Sequence, residues 1–198
     1  MKITRLAALA KEYKSMTIVD TWQDGEVVRQ HVVIYGAIYP LDGFPLMDKE
    51  SMMIMLDVPE EKRKEYTVHR IDMNETLEKA TADLLPTPDG QANICRTWLE
   101  MPTMELIHVR TQGGIVFMQR KYQQVIEKEK EVDWWSRSLP GGVMLIAKRG
   151  FETIASISAE TAWTSEDVLE ELQLISSHAR ELHEKRRQKD DSIDQLRM

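Results

Sequence analysis

Apolar and polar residues alternate along three stretches of this chain, and each stretch is broken by a turn pair. "MTIVDTWQDGEVVRQHVVIYG" has two apolar-rich runs around Asp24 and Gly25, residues that tolerate the positive φ of a tight hairpin. "MELIHVRTQGGIVFMQ" repeats the pattern around Gln112, Gly113 and Gly114, and "GGVMLIAKRGFETIASISAE" repeats it around Arg149 and Gly150. Three antiparallel hairpins are predicted, and an antiparallel sheet needs no crossover helices on both faces.

Helical spacing marks four further segments. Residues 3 to 14 place Ile3, Leu6, Leu9, Ala10 and Tyr13 on one side. Residues 49 to 57 follow Asp48 as N-cap and stop before Pro59. Residues 120 to 130 are expected to be helical, with Tyr122, Val125 and Ile126 turned inward. A long C-terminal helix is predicted from Thr164 or Ser165 to about residue 188, with Glu166 and Asp167 favouring its dipole. Val168, Leu172, Ile175, Ala179 and Leu182 form its narrow apolar seam. Packing of that seam within the chain is expected, with self-association as the alternative. Residues 74 to 92 carry Pro86, Pro88 and an Asp89-Gly90 pair, and read as a turn or a loop between subdomains.

The fold class expected is α+β: mainly antiparallel sheets built from hairpins, with packed helices and a long C-terminal helix. The reading is of one domain over 1–185, with two lobes at 1–85 and 92–185, then a charged helical or frayed tail over 186–198. At 198 residues such a domain buries about 70% of its unfolded surface.

Composition then removes several functions. Apolar residues are 42% and charged residues 30%, the balance of an ordinary globule. No apolar run approaches the roughly 20 residues of a membrane-spanning helix. The start, "MKITRLAALAKEYKS", is broken by Arg5, Lys11 and Glu12, so it reads as an amphipathic helix rather than a secretory signal. Cys95 is the only cysteine, which rules out an intrachain disulfide and a cysteine-built zinc site and points to a reducing, cytoplasmic setting. The net charge of −7 opposes non-specific binding to phosphate backbones.

"EVDWWSRSL" holds adjacent tryptophans. Read as a strand, it puts Val132 and Trp134 on one face and Asp133, Trp135 and Arg137 on the other. Burying a tryptophan is worth at most about 4–6 kcal/mol, so one of the pair is expected inside, and Trp134 is in phase with Val132. Trp135 is then covered by a helix, stacked under Arg137, or exposed with Arg137 as a protein-binding anchor. Trp22, Trp98 and Trp163 are expected in the core or at a subdomain seam.

No motif here carries chemistry, so no catalytic residue, metal ligand or cofactor is predicted. The histidines at 31, 69, 108, 178 and 183 are scattered, and His178 and His183 lack the i,i+4 spacing of a ligand pair. The glycine pairs belong to no phosphate-cradling loop. Pro88-Asp89 matches the opening of a metal-dependent nuclease signature, but no acid-x-Lys follows it. No Gly-x-Ser-x-Gly elbow is present. A composite acidic site assembled from distant residues is the remaining enzymatic route.

"AIYPLDGFP" leading to "MLDVPEEKR", "RTQGGIVFMQRKY", and "GGVMLIAKRGFETIASIS" together resemble an uncharacterised family of roughly 200-residue proteins of prophages and phages of Gram-positive gut bacteria. A second resemblance lies in residues 115 to 160: "VFM", "KYQQVI", "VDWWSRS" and a hairpin ending in "ASISAE" look like the closing unit of a DNA sliding-clamp domain. That likeness implies a ring-forming homo-oligomer that binds DNA only when the ring closes. It also implies DNA-facing cations on the first helix, namely Lys2, Arg5, Lys11 and Lys14, although these flank the apolar stripe on both sides. The function expected is a non-enzymatic phage accessory protein that binds another macromolecule, a protein partner first, with no membrane involved. A clamp-like replication factor is its specific version, and an inhibitor of a host or defence protein is the alternative.

Overall fold

The computed structural model describes residues 1–84, 89–101 and 104–160. The chain begins with α1 (Ile3–Tyr13), whose Leu6, Leu9 and Ala10 are buried at the spacing the sequence gives. Lys14 ends the helix at φ 50°, its N–H bonding the Ala10 carbonyl, and that left-handed residue turns the chain straight into β1 (Ser15–Gln23). Asp24 and Gly25, both at positive φ, then reverse it into β2 (Glu26–Ile34), and β3 (Ala37–Pro40) follows after a turn at Tyr35 and Gly36. α2 (Lys49–Met55) starts on Asp48, whose side chain accepts the Ser51 N–H in a reciprocal capping box. After a 3-10 segment, Glu60–Glu65, come β4 (Thr67–Asp72) and α3 (Glu75–Thr81). The remaining elements are β5 (Gly90–Gln91), β6 (Asn93–Met101), β7 (Met104–Thr111), β8 (Gly114–Gln119), α4 (Arg120–Gln123), β9 (Val132–Leu139), β10 (Gly142–Arg149) and β11 (Glu152–Ser158).

The fold is α+β and mainly antiparallel. Eight strands form one sheet in the order β4-β1-β2-β3-β11-β10-β9-β5, and β6-β7-β8 form a second. All three predicted hairpins are present with antiparallel pairing. One pair, β1 with β4, is parallel. The large sheet contains a repeated unit: α1 precedes the meander β1-β2-β3, and α4 precedes the meander β9-β10-β11. The two units meet at β3 and β11, where Ile38 faces Ser156 and Ala37 faces Ile157. Strands from both expected lobes thus share a single sheet.

One face of this sheet carries the core. Met16, Ile18, Val32, Ile34, Tyr39, Leu145, Ala147 and Ile157 pack with Leu6 and Leu9 of α1, Met52 and Met53 of α2, and Ile107, Val109 and Met118 of the small sheet. On the other face lie Val19, His31, Ile38, Arg137, Ile146, Lys148 and Ser156, and to this face α3, Ala82, Asp83 and Asp89 are hydrogen-bonded.

Two expectations change. The helix predicted over 120–130 is one turn, Arg120–Gln123, although Tyr122, Val125 and Ile126 are buried as anticipated. Val125 and Ile126 bond back three residues rather than four, and the Val125 carbonyl is taken by the Lys2 N–H. Beyond them, "EKEK" offers no apolar side chain to hold a helix down, and Glu131 turns the chain at φ 56°. The segment 74–92, expected to be irregular, contains α3, started by Asn74 accepting the Leu77 N–H. The predicted C-terminal helix with its seam, the tail over 186–198, Trp163, His178 and His183 lie outside the described residues. Among the described residues no helix is long and apolar enough to cross a membrane.

Candidate functional site

The adjacent tryptophans separate as the alternation requires. Val132 and Trp134 pack against the core, and Trp135 faces the other side, half-buried. The cation beside Trp135 is not Arg137 but Lys148 of the neighbouring strand, 5.7 Å from the ring centroid. Arg137 has only 3% of its surface exposed and is spent inside the fold. Its Nε and Nη2 donate to the two Asp89 oxygens at 2.7 and 2.8 Å, and its Nη1 and Nη2 reach the carbonyls of Lys79 and Ala82. Lys148 Nζ donates to Asp89 at 2.7 Å and to the Asp83 carbonyl at 2.9 Å.

A helix C-terminus leaves its last carbonyls without intrahelical partners. Here strands β9, β10 and β11 supply the donors: Arg137, Lys148, Thr153 and Ser156 bind the carbonyls of residues 79, 80, 82 and 83. The Thr153 N–H also donates to Asp83 Oδ1 at 2.6 Å. Asp89 closes the assembly. Burial raises its pKa, but the hydrogen bonds and charges of Arg137 and Lys148 outweigh burial and hold it below the usual carboxylate value. This carboxylate is therefore an anion saturated by two cations, with no lone proton to give or take at neutral pH. Its role is to fasten α3 and the chain after it to the sheet.

A second carboxylate, Asp20, is also buried and hydrogen-bonded to neighbouring side chains. Asp20 accepts from Gln30 Nε2 at 2.7 Å and from Arg70 Nε, while the Gln30 amide clamps both the N–H and the carbonyl of Met47. His31, 3% exposed, sits on the opposite sheet face with its Nδ1 unpartnered among the described residues, as is Thr21 Oγ1 on the adjoining strand. Burial, and then the nearby Arg29, lower the His31 pKa to about 4, so the imidazole is neutral. Among the described residues no three His, Cys, Asp or Glu side chains converge as metal ligands do.

The α1 cations are dispersed. Lys2 pairs with Glu127 at 3.1 Å and Lys14 with Glu65 at 2.5 Å. Arg5 and Lys11 stand exposed on the helix without an ion pair to another described residue. Trp22 and Trp98, expected inside, are on the surface at 52% and 40% exposure. Trp22 donates to Asp72 Oδ1, and the Arg120 guanidinium lies 3.7 Å from the Trp98 ring centroid.

The arrangement most like a binding surface was not read from the sequence. Tyr35, at the β2–β3 turn, has 73% of its surface exposed and a left-handed backbone at φ 52°, a conformation that costs a non-glycine residue on the order of 1 kcal/mol. Its ring lies flat on Tyr13, with centroids 4.8 Å apart and planes 6° from parallel. Tyr13 is itself fixed by its hydroxyl, 2.7 Å from that of Tyr122, and by Lys121 over its ring. Tyr35 lines two grooves. One, of about 270 Å³, is lined chiefly by Val33, Ile38, Leu77, Leu139 and Met144. The other, of about 320 Å³, is lined by Tyr13, Ser15, Met16, Thr17 and Val33. The sequence signal was a bulky residue before Gly36 where a hairpin turn favours Asn or Asp. Neither a known protein family, nor a curated protein, nor a solved structure matches this chain.

Proposed function

We propose that this protein works by recognition: it binds a protein partner through the surface centred on Tyr35, as a phage-type accessory factor in the bacterial cytoplasm. The observation that carries the proposal is the stacked Tyr13–Tyr35 pair, whose Tyr35 lines two grooves. A large aromatic ring held out in solvent by a strained backbone and a stacking neighbour is a pre-organised anchor. It loses little freedom on binding, which is how a few aromatic residues come to dominate interface energies. The grooves beside it are lined by apolar and hydroxyl-bearing residues, with no Lys or Arg among them, so they suit a protein surface better than a phosphate backbone. The chain's charge of −7 favours a partner with a basic face. An inhibitor of a host or defence protein fits this description.

A clamp-like factor is the second reading, favoured by the repeated helix-and-meander unit joined at β3 and β11. Against it, Lys2 and Lys14 are already paired, which leaves Arg5 and Lys11 to face DNA. Light scattering separates the two: a clamp requires a closed ring at micromolar concentration.

The main test is quantitative affinity capture from host cells with tagged wild type, Tyr35→Ala and Trp135→Ala. Loss of an interface hot spot weakens binding by about tenfold or more. The expected result is reduced partner recovery with Tyr35→Ala and full recovery with Trp135→Ala. The reverse pattern would move the interface to the β9 face around Trp135 and refute the assignment.

A further inference from the structure

The eight-stranded sheet ends differently at its two sides. Beside β9 lies the short β5, with Gly90 opposite Ser136 and Gln91 opposite Trp135. At the other side β4 pairs only with β1, over six consecutive residues without a register break. Its outer side meets no strand among the described residues. Sheet edges in folded proteins are usually blunted by proline, bulges, lysines or a covering element, because an open row of N–H and C=O groups templates further pairing. β4 holds no proline, no lysine and no bulge, and His69, Arg70, Ile71 and Asp72 are all exposed.

Which groups face outward follows from the bonds to β1. The Thr67 N–H donates to the Lys14 carbonyl and the Met73 N–H to the Asp20 carbonyl. In a parallel pair alternate residues turn their backbone groups to the partner, so 67, 69, 71 and 73 bond inward. Val68, Arg70 and Asp72 therefore present N–H and C=O to the outside.

We infer that β4 pairs antiparallel with β4 of a second copy, making a two-fold dimer with a continuous sheet, in the register that sets Arg70 opposite Asp72 and Ile71 opposite Ile71. Only outward-facing residues can exchange both bonds with a partner, which restricts the registers. The register one step away sets Arg70 against Arg70 and Val68 against Asp72, juxtaposing like charges. The chosen one makes two Arg–Asp pairs, one the symmetry copy of the other, and one Ile71–Ile71 contact on the two-fold axis. The side chains are free to do this. Arg70 gives Nε to Asp20 and retains its two terminal nitrogens, while Asp72 receives Trp22 on Oδ1 and retains Oδ2. The joint is short, so the dimer is weak and forms at high concentration, as small interfaces do. It does not depend on the recognition surface at Tyr35.

The experiment is hydrogen exchange on the full chain at about 5 µM and about 0.3 mM, a range that brackets a small interface, alongside sedimentation at both concentrations. Expected is a dimer at the higher concentration, with the Arg70 and Asp72 amides slowing as protein concentration rises. Those of His69 and Ile71 should be slow throughout. Asp72→Lys should weaken association by about tenfold or more, and Asp72→Glu should retain it. A wild type that stays monomeric at the higher concentration would overturn the inference. So would a dimer indifferent to Asp72→Lys, or Arg70 and Asp72 amides whose exchange ignores concentration. The exchange measurement on wild type stands even where Asp72→Lys fails to fold.

Discussion

Asp89→Asn removes one negative charge and leaves the surrounding hydrogen-bonding shape nearly intact. In the native fold that charge receives three donors, Arg137 Nε at 2.7 Å, Arg137 Nη2 at 2.8 Å and Lys148 Nζ at 2.7 Å. The side chains of Arg137 and Lys148 are 2% and 10% exposed, so in the variant two cations face each other out of water. Breaking a buried pair in this way costs about 3–5 kcal/mol. For a chain of this size each kcal/mol lowers the melting temperature by about 2–4 °C, so the expected drop at neutral pH is roughly 6–20 °C. The pH dependence provides a second reading. Asp89 has a folded pKa below its unfolded value, so its stabilising contribution is complete above the unfolded value and is lost as pH falls through the folded one. The difference in stability between wild type and Asp89→Asn should therefore be largest near pH 7 and close on acidification below about pH 4. Adding Lys148→Met to Asp89→Asn removes one stranded cation and should recover part of the loss, which a double-mutant cycle in urea reads directly. Melting within about 2 °C of wild type at pH 7 would refute the structural role of the cluster, because that is less than 1 kcal/mol. A difference that does not change between pH 7 and pH 3 would refute its electrostatic origin.

Two further outcomes follow from other buried groups. Gln30→Ala leaves the Met47 N–H without its acceptor and should cost about 1–3 kcal/mol, with faster exchange of the Met47 amide. Buried His31 has its pKa lowered to about 4, so the unfolded chain binds the proton first, and up to about 3 kcal/mol is lost as pH falls from about 6.5 to about 4. The depressed His108, which responds to burial and Arg110, adds to the same slope. His31→Leu should flatten most of it in urea titrations across that window, and an unchanged slope would place the titration elsewhere.

The hairpins and the first two helices could be read from the sequence because their signals are local. Asp24-Gly25 dictates positive φ, Asp48 and Ser51 cap each other, and the α1 stripe repeats at three and four residues. The sorting of Trp134 to the core side is likewise a consequence of strand period alone. Arg137 shows where local pattern stops. Its alternation put it beside Trp135, but its partner Asp89 is 48 residues away in a segment that looks like a plain loop. Nothing local announces that the donors of three strands will cap α3. The surface positions of Trp22 and Trp98 were missed for a related reason. Average burial of tryptophan is a property of the residue type, while Asp72 and Arg120 hold these two at the surface through contacts made only in the folded sheet. Tyr35 is not legible locally, because its stack on Tyr13 requires α1 and the β2–β3 turn to meet.

On the proposed reading, the exposed Tyr35 surface, rather than the buried ionic cluster, meets the partner. Partner recovery in quantitative capture, with folded Tyr35→Ala and Trp135→Ala compared with wild type, tests that claim most directly. Recovery should be lost with Tyr35→Ala and kept with Trp135→Ala. Recovery kept with Tyr35→Ala and lost with Trp135→Ala would contradict it.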